Sequence, residues 1–219
     1  MRIYLQLTPN TAPVPFDYQA TLVGAFHKWL GENELHDGLS LYSLSWLSHG
    51  VRRKDGLDFP DGSTFYISAP HEELLSALVH GVFKGHQVRW GMEVKEVIIQ
   101  RTPDFGPRQK FFAQSPILIK RKPEDAEHHQ YYFPKDQESD TYLTETMRLK
   151  LVKAGIADDV SVSFDRTYPK PKIKMVHYKD LNIKGTLCPV IVEGDPRAVQ
   201  FAWEVGVGNS TGIGFGALK

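Results

Sequence analysis

Residues 2–7 alternate Ile3, Leu5 and Leu7 with polar partners, which is the period of a half-buried strand. From 17 to 30 the spacing changes. Tyr18, Leu22, Ala25, Phe26 and Trp29 fall on one helical face, and Gly31 is the stop. Residues 39–47 read as a second strand, and a third follows at 63–68 after an excursion rich in Gly, Asp and Pro over 50–62. Pro70 is suited to the first position of the next helix, with Glu72 and Glu73 favoured by its positive end. Its expected buried stripe is Leu74, Leu75, Leu78, Val79, Val82 and Phe83. A strand over 88–100 completes the order βαββαβ.

The pattern then repeats with other residues: a strand over 114–121, an acidic loop, a helix over about 140–154, and strands at 160–167 and 173–192. Asp195 as N-cap with Pro196 behind it opens a helix that carries Val199, Phe201, Ala202 and Val205, and 212–218 reads as the last strand. A chain of 219 residues can bury one large core or two of about 100 residues each. The doubled pattern favours two. It predicts an α+β chain of tandem ferredoxin-like (RRM-like) βαββαβ domains, 1–108 and 109–219, each with helices on one face of an antiparallel sheet. The second face of such a sheet is expected to be free, and in RNA-recognition modules of similar topology single-stranded RNA lies there.

Composition narrows the class. The first residues lack the unbroken apolar run of a signal peptide, and no stretch approaches the roughly 20 apolar residues of a membrane span, so a soluble chain is expected. The lone Cys188 forms no internal disulfide and suits a reducing cytoplasm. Lys plus Arg and Asp plus Glu both number 26, so net charge gives no support to a nucleic-acid partner. The distribution says more. Residues 101–122 hold six basic residues and one acid, 123–146 one basic residue and seven acids, and 166–184 six basic residues and one acid. Such segregation can line one face with cations for phosphate, or merely solvate two strand faces.

The terminal segment EVGVGNSTGIGFGALK gathers Gly206, Gly208, Gly212, Gly214 and Gly216. Several glycines together can expose backbone N–H groups to phosphate oxygens. A dinucleotide fingerprint would lie between a strand and a following helix, whereas these glycines follow a helix; GxxxxGK[ST] is absent. A purely structural turn is the remaining alternative.

A helix running into this glycine pattern, on a doubled ferredoxin-like chain, resembles the CRISPR-associated repeat-cleaving endoribonucleases of the repeat-associated mysterious protein (RAMP) superfamily. The resemblance covers nearly the whole chain. Residues 15–30, with Gln19 and Gly24, resemble the family's first helix, LYSLSW at 41–46 its second strand, and SPILIKRK at 115–122 the strand that opens its second domain. It implies cleavage of CRISPR repeat RNA in precursor crRNA without metal or cofactor, in the cytoplasm. The product ends would be a 2′,3′-cyclic phosphate and a 5′-hydroxyl. Other CRISPR effector subunits, or a second copy in a homodimer, are further partners it allows, and a non-cleaving RNA-binding subunit of an effector complex is the alternative.

RNA carries its own nucleophile, the 2′-hydroxyl, so the protein needs only to move protons and stabilise the phosphorane charge. Histidine suits both transfers because its ordinary pKa of about 6.5 lies near working pH. His27 lies on the first helix opposite Tyr18, Leu22 and Trp29 and is expected to face away from the core. By resemblance, His36 stands where the family carries its catalytic histidine and His27 where many members carry an assisting tyrosine or histidine. Family members often have a lysine shortly after that histidine, and Asp37, Gly38 and Leu39 supply none. Lys28, or the group Arg52, Arg53 and Lys54 after the runner-up His49, are candidates for that role. Lys120, Arg121 and Lys122, with Lys170, Lys172 and Lys174, are expected to hold the RNA backbone together with the five glycines. Charged protection of an edge strand is the competing account of the KPKIK lysines. No histidine pair has the companion ligands of a zinc site.

Overall fold

The computed structural model describes residues 1–31, 38–123 and 127–219. Its first half contains β1 (Arg2–Leu7), α1 (Gln19–Leu30), β2 (Ser43–Leu44), β3 (Val51–Arg53), β4 (Gly56–Asp58), β5 (Ser63–Ser68), α2 (Glu72–Lys84) and β6 (Val94–Gln100). The antiparallel sheet runs β2-β5-β1-β6, with Ile3 opposite both Ile67 and Ile99, while β3 and β4 form a separate hairpin. Alternation in β1 sends Ile3, Leu5 and Leu7 under the helices, where they meet Leu22, Phe26 and Trp29 of α1 and Leu75, Leu78 and Val82 of α2. Each such side chain contributes about 1.5–3 kcal/mol by leaving water.

The second half contains β7 (Arg108–Phe111), β8 (Lys120–Arg121), β9 (Gln130–Tyr131), α3 (Ser139–Lys153), β10 (Val160–Phe164), β11 (Lys172–Tyr178), β12 (Leu181–Leu187), β13 (Val190–Gly194), α4 (Pro196–Val205) and a single 3₁₀ turn (Thr211–Ile213). The sheet β10-β13-β7 is extended where residues 112–114 pair with 217–219: the Phe112 N–H donates to the Lys219 carbonyl at 2.8 Å, and the Lys219 N–H returns the bond at 2.7 Å. Both halves therefore show the strand order of a ferredoxin-like unit, and the chain is an α+β tandem of two. Asp195 caps α4 by accepting from the Arg197 N–H at 2.7 Å, with Pro196 at the first position.

Several expected elements differ. Only Ser43–Leu44 of 39–47 is strand, because Ser45 bonds the Tyr66 backbone and Ser48 that of Thr64 through side chains as well as backbone. Pro70 precedes α2 rather than opening it, since His71 is the N-cap, and Phe83 is 77% exposed because it lies off the Leu75, Leu78, Val82 stripe. Residues 88–93 turn through Trp90 and Gly91, both at positive φ, before β6 begins. The run 173–192 is divided among three strands, and the expected strand at 114–121 survives as β8 plus a single bridge at Ile117. The last strand, expected at 212–218, shrinks to the residues that pair with 112–114.

The largest departure concerns the sheet face expected to be free. Arg2, Ser43, Tyr66 and Ser68 lie on that face of the first sheet and are all buried. The second half covers them: the Arg2 guanidinium donates to the Trp203 and Leu218 carbonyls at 3.0 and 2.8 Å, and the Tyr66 hydroxyl donates to the Leu218 carbonyl at 2.6 Å. The face joins the two halves instead of standing open.

Candidate functional site

The end of α1, residues 38–46, the glycine-rich terminus and the end of α3 meet at this junction. Gly212 packs so closely that a Cβ there would lie 2.4 Å from Ser40 Oγ and 2.8 Å from the Tyr42 hydroxyl, and the Trp46 indole N–H donates to the Gly214 carbonyl at 2.9 Å. Tyr42 is buried against Phe26 of α1, with ring centroids 5.1 Å apart, and burial raises its hydroxyl pKa above the ordinary value. Val23 of α1, Leu118, Phe215, and Val176, Tyr178 and Ile183 of the β11–β12 hairpin form a small apolar cluster between the halves.

The five glycines are buried, not displayed as an open anion cradle. The N–H groups of Gly206, Gly214 and Gly216 already donate to the carbonyls of Ala202, Thr211 and Pro116. Gly216, at φ +64°, lies so near the Val207 carbonyl that a Cβ would come within 1.9 Å of its oxygen, so glycine is required there by space as well as by backbone angle. The glycines thus first serve close packing of backbone on backbone.

His27 is half-buried in the last turn of α1, its ring edge-on to Phe26 with centroids 5.0 Å apart, so it is less turned to water than the helical wheel implies. His36 lies outside the described residues. Lys28 is exposed on α1, one residue on. His49 is exposed with φ +63°. The hairpin pair Arg52 and Arg53 stands elsewhere: Arg52 sits over the Phe16 ring at 5.2 Å and Arg53 bonds Asp58 at 3.1 Å.

Arg121 is held from several sides. Its guanidinium donates to the Tyr142 carbonyl and Thr146 hydroxyl, both at 2.9 Å, and lies over the Tyr142 ring, which ties β8 to α3. Lys120, half-buried like Arg121, and the exposed Lys122 flank it, and the Lys120 N–H donates to the Asn209 side chain at 2.9 Å. Lys172 and Lys174 share one face of β11, as the alternation implies, and both are exposed; Lys170 precedes the strand and is exposed too.

Three residues escape a reading for chemistry. Asn209, within the glycine segment, joins that segment to Lys120. Lys150 is fully buried: its ammonium donates to the Val205 and Gly206 carbonyls at 3.3 and 3.1 Å and to the Thr211 hydroxyl at 3.1 Å, and burial pushes its pKa down to about 7. The available signal was position, since Lys150 follows Leu143 by seven residues and Met147 by three, on the stripe of α3 that faces the core. Lys153, one turn on, donates to the Leu39 carbonyl at 3.2 Å.

Residues 100–219, more than half of the chain, match the family model described as CRISPR associated protein Cas6, C-terminal. The chain belongs to this Cas6 family. A CRISPR-associated endoribonuclease Cas6 of Methanocaldococcus jannaschii is 25% identical to it, covering 100% of this chain and 92% of the relative. A CRISPR-associated endoribonuclease-like protein Cas6 of Pyrococcus furiosus is 23% identical, covering 100% and 98%. A solved RAMP protein described as binding different RNA substrates superposes with a TM-score of 0.86 at 21% identity, over 100% of this chain and 98% of that one. That likeness establishes the shared fold. Among the described residues of this Cas6 chain, no helix is long and apolar enough to cross a membrane.

Proposed function

We propose that this Cas6 chain is an endoribonuclease that cleaves CRISPR repeat RNA in precursor crRNA. The family match over 100–219 carries the reading. In the proposed reaction the 2′-hydroxyl attacks the adjacent phosphorus, the bond to the 5′ oxygen breaks, and the products end in a 2′,3′-cyclic phosphate and a 5′-hydroxyl. His36 and His27 divide the removal of the 2′ proton and the protonation of the leaving oxygen, and no metal ion takes part. The last turn of α1, which carries His27, abuts the junction that the glycine terminus seals, so RNA lying across it would meet both halves at once. The exposed Lys28, Lys122, Lys172 and Lys174, with the half-buried Lys120, are the cations proposed to hold its backbone.

A second reading, a non-cleaving RNA-binding subunit of a CRISPR effector complex, draws on the endoribonuclease-like description of the Pyrococcus relative and on the half-buried setting of His27. One experiment separates them. The protein is incubated with its repeat RNA in excess EDTA, and with the same RNA carrying deoxyribose at the scissile nucleotide. Cleavage of the first and not the second is expected. His36→Ala and His27→Ala should each slow it by about 10²-fold to 10⁴-fold with affinity nearly unchanged, because a proton-transfer group acts mainly in the transition state. Binding without cleavage would establish the second reading, and dependence on added magnesium would remove the metal-free mechanism.

A further inference from the structure

The last turn of α3 presents two lysines that meet the junction differently. Lys150 is sealed inside and its three donors have three acceptors. Lys153 is exposed, and its one hydrogen bond among the described residues is to the Leu39 carbonyl of the other half. The same ammonium lies 3.2 Å from where a Cβ of Gly38 would sit. A lysine at a helix C-terminus ordinarily complements the negative end of its own helix. This one reaches away from its helix to the backbone of the other half, to a place two and three residues after His36 in the sequence.

An ammonium has three N–H donors, and the Leu39 carbonyl takes one. Among the described residues no acceptor takes the other two, which leaves them for oxygens of an incoming group. Two cations of the site are committed otherwise, Arg121 to Tyr142 and Thr146 and Lys150 to the glycine segment, while Lys28 stands exposed on α1. The segment that Lys153 touches is also fixed, since Ser40 and Tyr42 abut Gly212. A phosphate here would meet a cation whose position is set from both halves, which is the preorganisation that stabilises charge developing on a phosphorane.

We propose that Lys153 grips the scissile phosphate of the RNA and stabilises its transition-state charge, supplying from α3 the cation that residues 37–39 lack. The inference rests on the endoribonuclease reading. Lys153→Gln keeps a donor for Leu39 but removes the charge, and Lys153→Arg keeps both. For each variant, the affinity for the 2′-deoxy repeat RNA is measured across a salt series, and single-turnover cleavage of the all-ribose RNA is measured at saturating protein. In Lys153→Gln the slope of log affinity against log salt should fall by about 0.7, the value for one phosphate on a single strand. The cleavage rate should fall by about 10²-fold. Lys153→Arg should retain most of both. An unchanged slope overturns the proposal, and so does a reduced slope with an unchanged rate, which places the gripped phosphate away from the cut. If the wild type binds RNA without cutting it, a reduced slope keeps the phosphate contact and the endoribonuclease reading is what fails; if it binds no repeat RNA, both fall.

Discussion

A lysine stands at a core position of α3, bonded to the glycine segment of its own half. Placing Lys150 in the interior disfavours its charged form, while two carbonyls and a hydroxyl compensate the charge only in part, so its pKa falls from 10.5 to about 7. In the unfolded chain the amine returns to its ordinary value. Between about pH 7 and 10.5 the unfolded state therefore binds more protons than the folded state, and stability from this group rises with pH across that window. Chemical denaturation at pH 7 and pH 9.5 should show the wild type gaining on the order of 2 kcal/mol relative to Lys150→Met, in which the titrating group is gone. Equal pH dependence in the two proteins would show that the amine is not held in a dry site. Lys150 was legible as an anomaly of pattern, since a charged residue stood where the helix period asks for an apolar one. Its partners were not, because they lie more than fifty residues away.

Elements were legible where local chemistry decides them. Alternation gave β1, the helical stripe gave α1, and Asp195 with Pro196 fixed the start of α4. The stretch 39–47 failed as a full strand because serine side chains there replace part of the ladder, and a strand pattern does not show which bonds are made by side chains. The run 173–192 concealed two turns for another reason. The first passes through Lys179 at φ +53° and Asp180, with no glycine to announce it, and the second through Cys188 and Pro189. The resulting β11–β12 hairpin buries Val176, Tyr178 and Ile183 against α1 and Leu118 while Lys172 and Lys174 stay exposed on the same face further along. That geometry favours RNA contact over simple edge protection, because the lysines continue the face that packs on the helix bearing His27. Replacing both with alanine should lower the salt slope of repeat RNA binding by about 1.4, twice the single-strand value per phosphate, and weaken binding at low salt. A slope equal to the wild type's would return the two lysines to the role of a solvated hairpin.

At the scale of the whole molecule, the doubled fold was readable and the joint between its halves was not. Sequence patterns describe each sheet's own core, whereas the joint is made from residues that look unremarkable singly: a buried arginine in the first strand, serines in the second, and backbone carbonyls at the C-terminus. Arg2 is 1% exposed and its guanidinium lies 3.8 Å from the Tyr66 ring centroid and 3.6 Å from that of Trp203. It is thus clamped between an aromatic ring of each half while it satisfies the Trp203 and Leu218 carbonyls. Removing the guanidinium forfeits both stacking contacts, takes its donor from the buried Trp203 carbonyl and leaves the Leu218 carbonyl with Tyr66 alone, at a cost of about 3–5 kcal/mol. For a chain of this size, Arg2→Leu should lower Tm by roughly 10 °C. The order of events should change as well. With the joint intact, far-UV circular dichroism and tryptophan fluorescence are expected to report one coincident transition; in Arg2→Leu they should separate, because the halves keep their own cores but lose the contact that couples them. A variant that melts within about 2 °C of the wild type, with coincident probes, would show that the glycine segment and the apolar cluster around Phe215 hold the halves together without the arginine.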